Sequence, residues 1–212
     1  MLLEAKGLEH TFDYPLFHSV NLQGKAGESI SIVGLSGSGK STLLHILSTL
    51  LRPQKGSVNL FGQDIYRLKT DDLLAIRRHK VGVVFQSHYL FKGFDAIENL
   101  QVAALLTQQE IDKTLLEKFK ILHLLNHYAG KLSGGEQQRL SIARVLTKKP
   151  QIIFADEPTG NLDQETAFNV MEALFDYIQE QNALLVLVTH DKGLAKCCSH
   201  CYELKEQQLI LS

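Results

Sequence analysis

Apolar positions along the 212-residue chain fall into two kinds of pattern. The first is short, β-prone and bounded by turn formers or charge: Ser29-Ile30-Ser31-Ile32-Val33, Val81-Gly82-Val83-Val84-Phe85, Gln151-Ile152-Ile153-Phe154-Ala155, and Ala183 to Val188. Such runs read as strands buried on both faces. The second pattern places apolar residues three and four apart. It predicts helices over 41–50 and 70–79, and it recurs over 95–125 in Ile97, Leu100 and Ala104, then Ile111, Leu115, Leu116 and Phe119. Residues 56–62 read as a strand with a turn, as do Cys201–Leu204 and Leu209–Leu211 as strands. The rest of the first 85 residues reads as strand. Strand and helix alternate again over 151–212, so the pattern predicts an α/β core interrupted by a helical insertion. No internal repeat or low-complexity segment is present.

Composition adds limits. The chain is 44% hydrophobic and 21% charged, enough to bury an ordinary core, and its length suits one domain or one domain with an inserted lobe. A net charge of −1 gives no electrostatic case for nucleic acid or an anionic membrane surface. MLLEAKGLEH lacks the basic start and apolar stretch of a secretory signal, and the apolar run from Ala183 to Val188 is far short of the roughly 20 residues that span a bilayer. Three cysteines within five positions, an odd number, argue against a disulfide framework.

The chemistry is concentrated in a few stretches. Gly34-Leu35-Ser36-Gly37-Ser38-Gly39-Lys40-Ser41 follows the strand at 29–33 and opens the helical run Thr42-Leu43-Leu44-His45-Ile46-Leu47. This is G-x-x-x-x-G-K-[ST] in its strand–loop–helix setting. The glycines let backbone N–H groups turn inward around phosphates. Lys40 reaches the β and γ phosphates, and the Ser41 hydroxyl is a hard oxygen ligand for Mg²⁺. The strand at 151–155 ends in Asp156-Glu157-Pro158. Asp156 is assigned to the metal and Glu157 to the general base that polarises water. His190, after the strand 183–188, is placed to reach the γ phosphate and orient that water. Gln86, closing the strand at 81–85, is placed to ligate Mg²⁺ or sense its occupancy.

A second anion site is written in Leu132-Ser133-Gly134-Gly135-Glu136-Gln137-Gln138-Arg139. Ser133 and Glu136 form an S-x-x-E capping box, which fixes a helix start whose dipole and free N–H groups suit a phosphate. The residues leave two readings: a self-contained second site, or a loop that serves another molecule's nucleotide.

Taken in order, the P-loop at 34–41, Gln86, LSGGEQQR at 132–139, IIFADE at 152–157, Asn161-Leu162-Asp163 and His190 resemble the ATP-binding cassette (ABC) family over nearly the whole chain. The resemblance implies an ABC-type P-loop fold: a mainly parallel central sheet, an N-terminal antiparallel β-subdomain and an inserted helical lobe. It implies one cassette over 1–212, with the core in 1–86 and 148–212 and the lobe at about 87–147. It implies an ATPase that uses ATP and Mg²⁺ and closes head to tail on a second copy of itself. Phosphate binding falls to Gly34, Ser36, Gly37, Ser38, Gly39, Lys40, Ser41 and Thr42. Ser133, Gly134, Gly135 and Asp163 act across the dimer seam. Phe12 is the best match to the family's adenine-stacking aromatic, with Tyr14 as runner-up.

The context ADEPTGNLD at 155–163, the Glu136 variant and Phe94–Leu100 resemble the branch of lipoprotein-releasing, macrolide-exporting and cell-division ATPases. That implies a subunit held on the cytoplasmic side of the inner membrane by an integral membrane permease, with a groove near residues 87–100 taking a short helix of that partner. Neither a fused membrane domain nor a C-terminal regulatory domain is expected, and no nucleic acid partner. The rival readings are a cell-division ATPase and a soluble ATPase regulator. Two further features are read modestly. Cys197-Cys198-Ser199-His200-Cys201 offers metal ligands, but adjacent cysteines suit one tetrahedral site poorly, so it is read as helix-end packing. His79 and His88 are read as surface or partner-contact residues.

Overall fold

The computed structural model describes every residue from Met1 to Ser212. Two sheets form. The smaller is antiparallel, in the order β2 (Pro15–Gly24), β1 (Leu3–Thr11), β4 (Lys55–Leu60), β5 (Gln63–Asp64). The larger runs β10 (Gln208–Leu211), β9 (His200–Lys205), β3 (Ser29–Val33), β8 (Leu184–Val188), β7 (Ile152–Asp156), β6 (Val81–Val84). Every pairing in it is parallel except that of β10 with β9.

The three central strands β3, β7 and β8 are buried at every position. This accounts for their lack of alternation in the sequence. Alternation survives as a division between two cores. Ile152, Phe154, Leu184, Val186 and Val188 face one, together with the antiparallel sheet and helix α1 (Lys40–Leu47). Ile153, Ala155, Leu185 and Leu187 face the other, together with α5 (Gly134–Thr147) and α6 (Gln164–Gln181).

Between β6 and β7 lie α3 (Ala96–Thr107), α4 (Lys113–Lys118), two single 3₁₀ turns and α5. The helical spacing read over 95–125 is therefore interrupted. Gln108 takes φ 55° and closes α3, and Asp112 caps α4 by accepting from the Thr114 N–H. The start of α3 is fixed by a capping box in which Glu98 N donates to Asp95 Oδ1 (2.8 Å) and Asp95 N to Glu98 Oε2 (2.9 Å). The helix expected over 41–50 stops at Leu47. Thr49 turns left-handed, and the Leu50 and Leu51 N–H groups both donate back to His45 O. The strand expected to run through Phe85 ends at Val84, which leaves Gln86 beyond the sheet. The remaining helices are α2 (Thr70–His79) and α7 (Lys192–Ala195).

Candidate active site

β3, β8 and β7 are neighbours, and their C-terminal ends open onto one crevice, where ligands of parallel sheets bind. β3 runs into the P-loop. Gly37 and Gly39 sit at φ 77° and 98°, a region that L side chains avoid, and this lets the loop turn back over the start of α1. Gly39 also approaches β2 closely: a Cβ there would lie 3.1 Å from Leu16 Cβ and 3.3 Å from Phe17 Cδ1. Helix α1 begins without a side-chain cap and without an acid in its first turn. Its N–H groups and dipole are thus left to an anion. Lys40 Nζ lies in the loop's own concavity, donating to Gly34 O (3.0 Å) and Leu35 O (2.8 Å).

The acid pair meets this loop. Ser41 Oγ donates to Asp156 Oδ1 at 3.1 Å, and Asp156 is only 8% exposed at the end of β7. A hydroxyl and a carboxylate in contact are two hard oxygens of the kind Mg²⁺ takes, so the residues fit that ion. Glu157 follows with φ 47°, a left-handed conformation costly for a residue with a side chain. Its N–H is held by Val188 O at 2.9 Å. The turn aims its carboxylate at the end of β8, where Glu157 Oε2 pairs with His190 Nδ1 at 2.9 Å. Glu157 is mostly buried and His190 mostly exposed. The pair thus has one fixed and one solvent-facing member.

Other expected site residues lie apart from this cluster. Ser133 caps α5: Glu136 N donates to Ser133 Oγ (3.3 Å), and Ser133 N donates to Glu136 Oε2 (2.8 Å). The Ser133 hydroxyl also donates to Glu136 Oε2, and these bonds hold the Glu136 carboxyl below its ordinary pKa. Gly134 and Gly135 form the first turn. Leu162 lies 3.4 Å from a Cβ built at Gly135, so the Asn161–Asp163 stretch borders this loop. Asp163 caps α6, accepting from Thr166 N at 2.9 Å, a role its sequence context did not suggest. Gln86 is exposed and makes no hydrogen bond to Ser41 or Asp156. It lines a cavity of about 580 Å³ with His88, Gln137 and Asn161. Phe12 is 59% exposed on the β1–β2 turn, its ring edge-on to His10 at 4.8 Å, and Tyr14 is similarly exposed.

Beside the polar cavity that Gln86 lines, an apolar groove of about 500 Å³ lies on the core–lobe seam. Its apolar walls are Leu50, Leu74, Phe85, Val102 and Leu106, because α2, the end of α1 and the last turns of α3 converge there. His88 is not a plain surface residue: its Nδ1 lies 3.3 Å from Gln137 Oε1, and its Nε2 is buried. His79 is exposed, as read. The cysteines divide: Cys197 is exposed, while Cys198 packs beside Ser29 and Ser31, and burial raises its thiol pKa to about 11.

A loop that wraps phosphates, a hard-oxygen pair and a carboxylate–imidazole pair define a nucleotide-hydrolysing P-loop cassette. The sequence matches the ABC transporter family over residues 17–160, and the chain belongs to that family as an ATP-binding cassette. It is 42% identical to the lipoprotein-releasing system ATP-binding protein LolD of Geobacter metallireducens, over 90% of this chain and 88% of that protein. It is also 42% identical to LolD of Xylella fastidiosa strain Temecula1, over 95% and 84% of the two chains. Among solved structures it resembles the dimeric ABC transporter cassette MJ0796, with a TM-score of 0.88 and 35% identity over 98% and 96% of the chains. MJ0796 is also known as a dimer in a post-hydrolysis state bound to ADP and Pi, again at a TM-score of 0.88.

Proposed function

We propose that this chain is the ATP-hydrolysing subunit of a lipoprotein-releasing ABC system, working as a head-to-tail pair on an integral membrane permease. The relatives' names support the cargo class, and the geometry supports the chemistry. The observation that carries it is the Glu157–His190 pair set beside Ser41–Asp156 and Lys40.

In this reading Lys40 leaves the Gly34 and Leu35 carbonyls for the β and γ phosphates, and the N–H groups of residues 36–42 surround them. Ser41 and Asp156 would hold Mg²⁺, with Gln86 as a further oxygen ligand from the loop after β6, and the ion would supply positive charge against the phosphates. Glu157 takes the proton of the attacking water, and His190 keeps the carboxylate aimed while facing the γ phosphate. Phe12 stacks on adenine. Ser133, Gly134 and Gly135, together with Asp163, meet the ATP bound by the other copy, so each nucleotide joins the two chains and binding favours the closed pair.

No helix is long and apolar enough to cross a membrane. Attachment to the cytoplasmic face of the inner membrane therefore falls to the permease. The groove between Leu50, Leu74, Phe85, Val102 and Leu106 is the surface offered to it. Its walls carry Arg77, Arg78, Arg144 and Lys148 and no acid, so a helix with an apolar face and a carboxylate fits it best.

Light scattering with Mg-ATP tests the reading. Glu157→Gln keeps the side chain's shape and its bond to His190 but loses the base; hydrolysis drops by roughly 10²–10⁴ and dimers accumulate. Lys40→Ala stays monomeric. A Glu157→Gln chain that remains monomeric at saturating ATP would remove both the base and the dimer assignments.

A further inference from the structure

The loop that follows Gln86 is fastened to the helix that begins at Ser133. His88 Nδ1 meets Gln137 Oε1 at 3.3 Å, and Gln137 Nε2 donates to Leu132 O at 2.8 Å. The second bond fixes which way the Gln137 amide faces. Its oxygen is turned to His88, so His88 Nδ1 carries the proton and donates. His88 Nε2 is buried without a partner, which suits a bare lone pair and not an N–H. Arg144, on the same helix, donates to His88 O (3.4 Å) and lies over the Phe91 ring. Asn99 then clamps Phe91 through both its N–H (2.9 Å) and its carbonyl (3.1 Å).

One residue, Ser87, separates Gln86 from His88, and one side chain separates His88 from the residue preceding Ser133. Gln86 and Gln137 line the same cavity. We propose that His88 is a positioning residue that links the chain's own nucleotide site to the Ser133 loop it offers the second copy. When Gln86 moves to its own site's Mg-ATP, the loop draws on His88. His88 then holds Gln137, and through it Leu132, in the register that presents Ser133. One chain's occupancy thereby sets how well it completes the other chain's site. This rests on the nucleotide reading above. The link consists of His88, Gln137 and Leu132, none of which is placed on a phosphate or the attacking water in the nucleotide reading, so it acts on the order of the Ser133 loop and not on the chemistry itself.

Amide hydrogen exchange tests this in monomers, with Mg-AMPPNP at a protein concentration where light scattering shows no dimer. The amides of Ser133, Glu136 and Gln137 are bonded and report on the loop. In the unmodified chain, nucleotide slows their exchange by about fivefold, the factor one ordinary net hydrogen bond supplies. In His88→Ala that slowing is lost while residues 36–42 remain protected by nucleotide. Gln137→Ala gives the same result by cutting the link from the other side. The geometry also sets a rescue. An asparagine amide nitrogen can stand where Nδ1 stands, so His88→Asn restores the slowing, whereas His88→Gln, which reaches to the Nε2 position, does not. Slowing that persists in both alanine variants, or equal behaviour of His88→Asn and His88→Gln, overturns the proposal. Absence of protection at residues 36–42 in the unmodified chain instead overturns the nucleotide reading.

Discussion

Gly34→Ala and Gly37→Ala add the same methyl group to one loop, and the structure assigns them different consequences. At Gly37 a Cβ meets nothing within 4 Å, and the cost is the φ of 77° alone. For an L-residue in the left-handed region that is about 1 kcal/mol. At Gly34 the Cβ would stand 2.6 Å from Leu204 O and 3.0 Å from Ser38 Oγ. Leu204 is 2% exposed in β9, which pairs directly with β3 through Val33 and Glu203. The obstacle is therefore backbone in the central sheet, which cannot rotate away as a side chain would. Relief requires the end of β3 or the loop to move, at a cost of roughly 3 kcal/mol, the upper part of the range for overpacked interiors. For a chain of this size each kcal/mol lowers Tm by about 2–4 °C, so Gly37→Ala melts about 3 °C lower and Gly34→Ala about 9 °C lower. Nucleotide sharpens the contrast. At a hundred times Kd a ligand adds about 2.7 kcal/mol to the native state, so the unmodified chain and Gly37→Ala both gain several degrees with Mg-ATP. Gly34→Ala gains little, because moving the start of the loop away from Leu204 O carries the N–H groups of residues 36–42 out of their cradle. Calorimetric melts with and without Mg-ATP decide it. Equal losses for the two variants, or a full nucleotide gain in Gly34→Ala, refute the steric argument.

Further predictions concern charge. Lys148 donates to Arg77 O and Val81 O, both at 2.9 Å, with no carboxylate beside it, and burial lowers its pKa to about 8. Between about 8 and its ordinary 10.5 the unfolded chain holds a proton that the folded chain has released, so stability gains with pH across that window. Urea midpoints should show the unmodified chain gaining on Lys148→Met as pH rises from about 7.5 to about 10; parallel curves would refute it. Ser133→Ala removes the α5 cap and costs about 1 kcal/mol. The Glu136 carboxyl is held below 4.5 chiefly by the Ser133 hydroxyl, so its stabilisation is present above that value and is lost as pH falls through the lowered one. The gap between the two chains should be full at neutral pH and shrink in acid, as read by urea titration.

Much of the site was legible because its signals are local. A P-loop needs glycines at set positions, and Lys40 and Ser41 follow at set places. The capping box of Ser133 and Glu136 spans one helical turn, so spacing alone disclosed it. Strands β3, β7 and β8 were legible as short unbroken apolar runs, since burial on both faces removes alternation. Helix ends were less legible. The left-handed turns at Thr49 and Gln108 occupy residues without turn propensity; Arg77 bonds Thr49 from a distant helix, and the Gln108 and Gln109 N–H groups donate back to Leu105 O and Ala104 O. The apolar groove of Leu50, Leu74, Phe85, Val102 and Leu106 was not legible for the same kind of reason, since it belongs to no single stretch.

The sequence by itself determined the strands, the phosphate loop, the acids at the end of β7 and the cap of the second anion site. Each depends on residues within one or two turns of one another. Only the tertiary structure decided that Ser41 meets Asp156 across 115 positions and that Glu157 meets His190 across 33. It alone joined His88 to Gln137 across 49. These contacts depend on the order β3-β8-β7 in the sheet and on where the lobe rests against it. That order is set by which apolar faces bury one another, and burial energy depends on area and carries no record of separation along the chain.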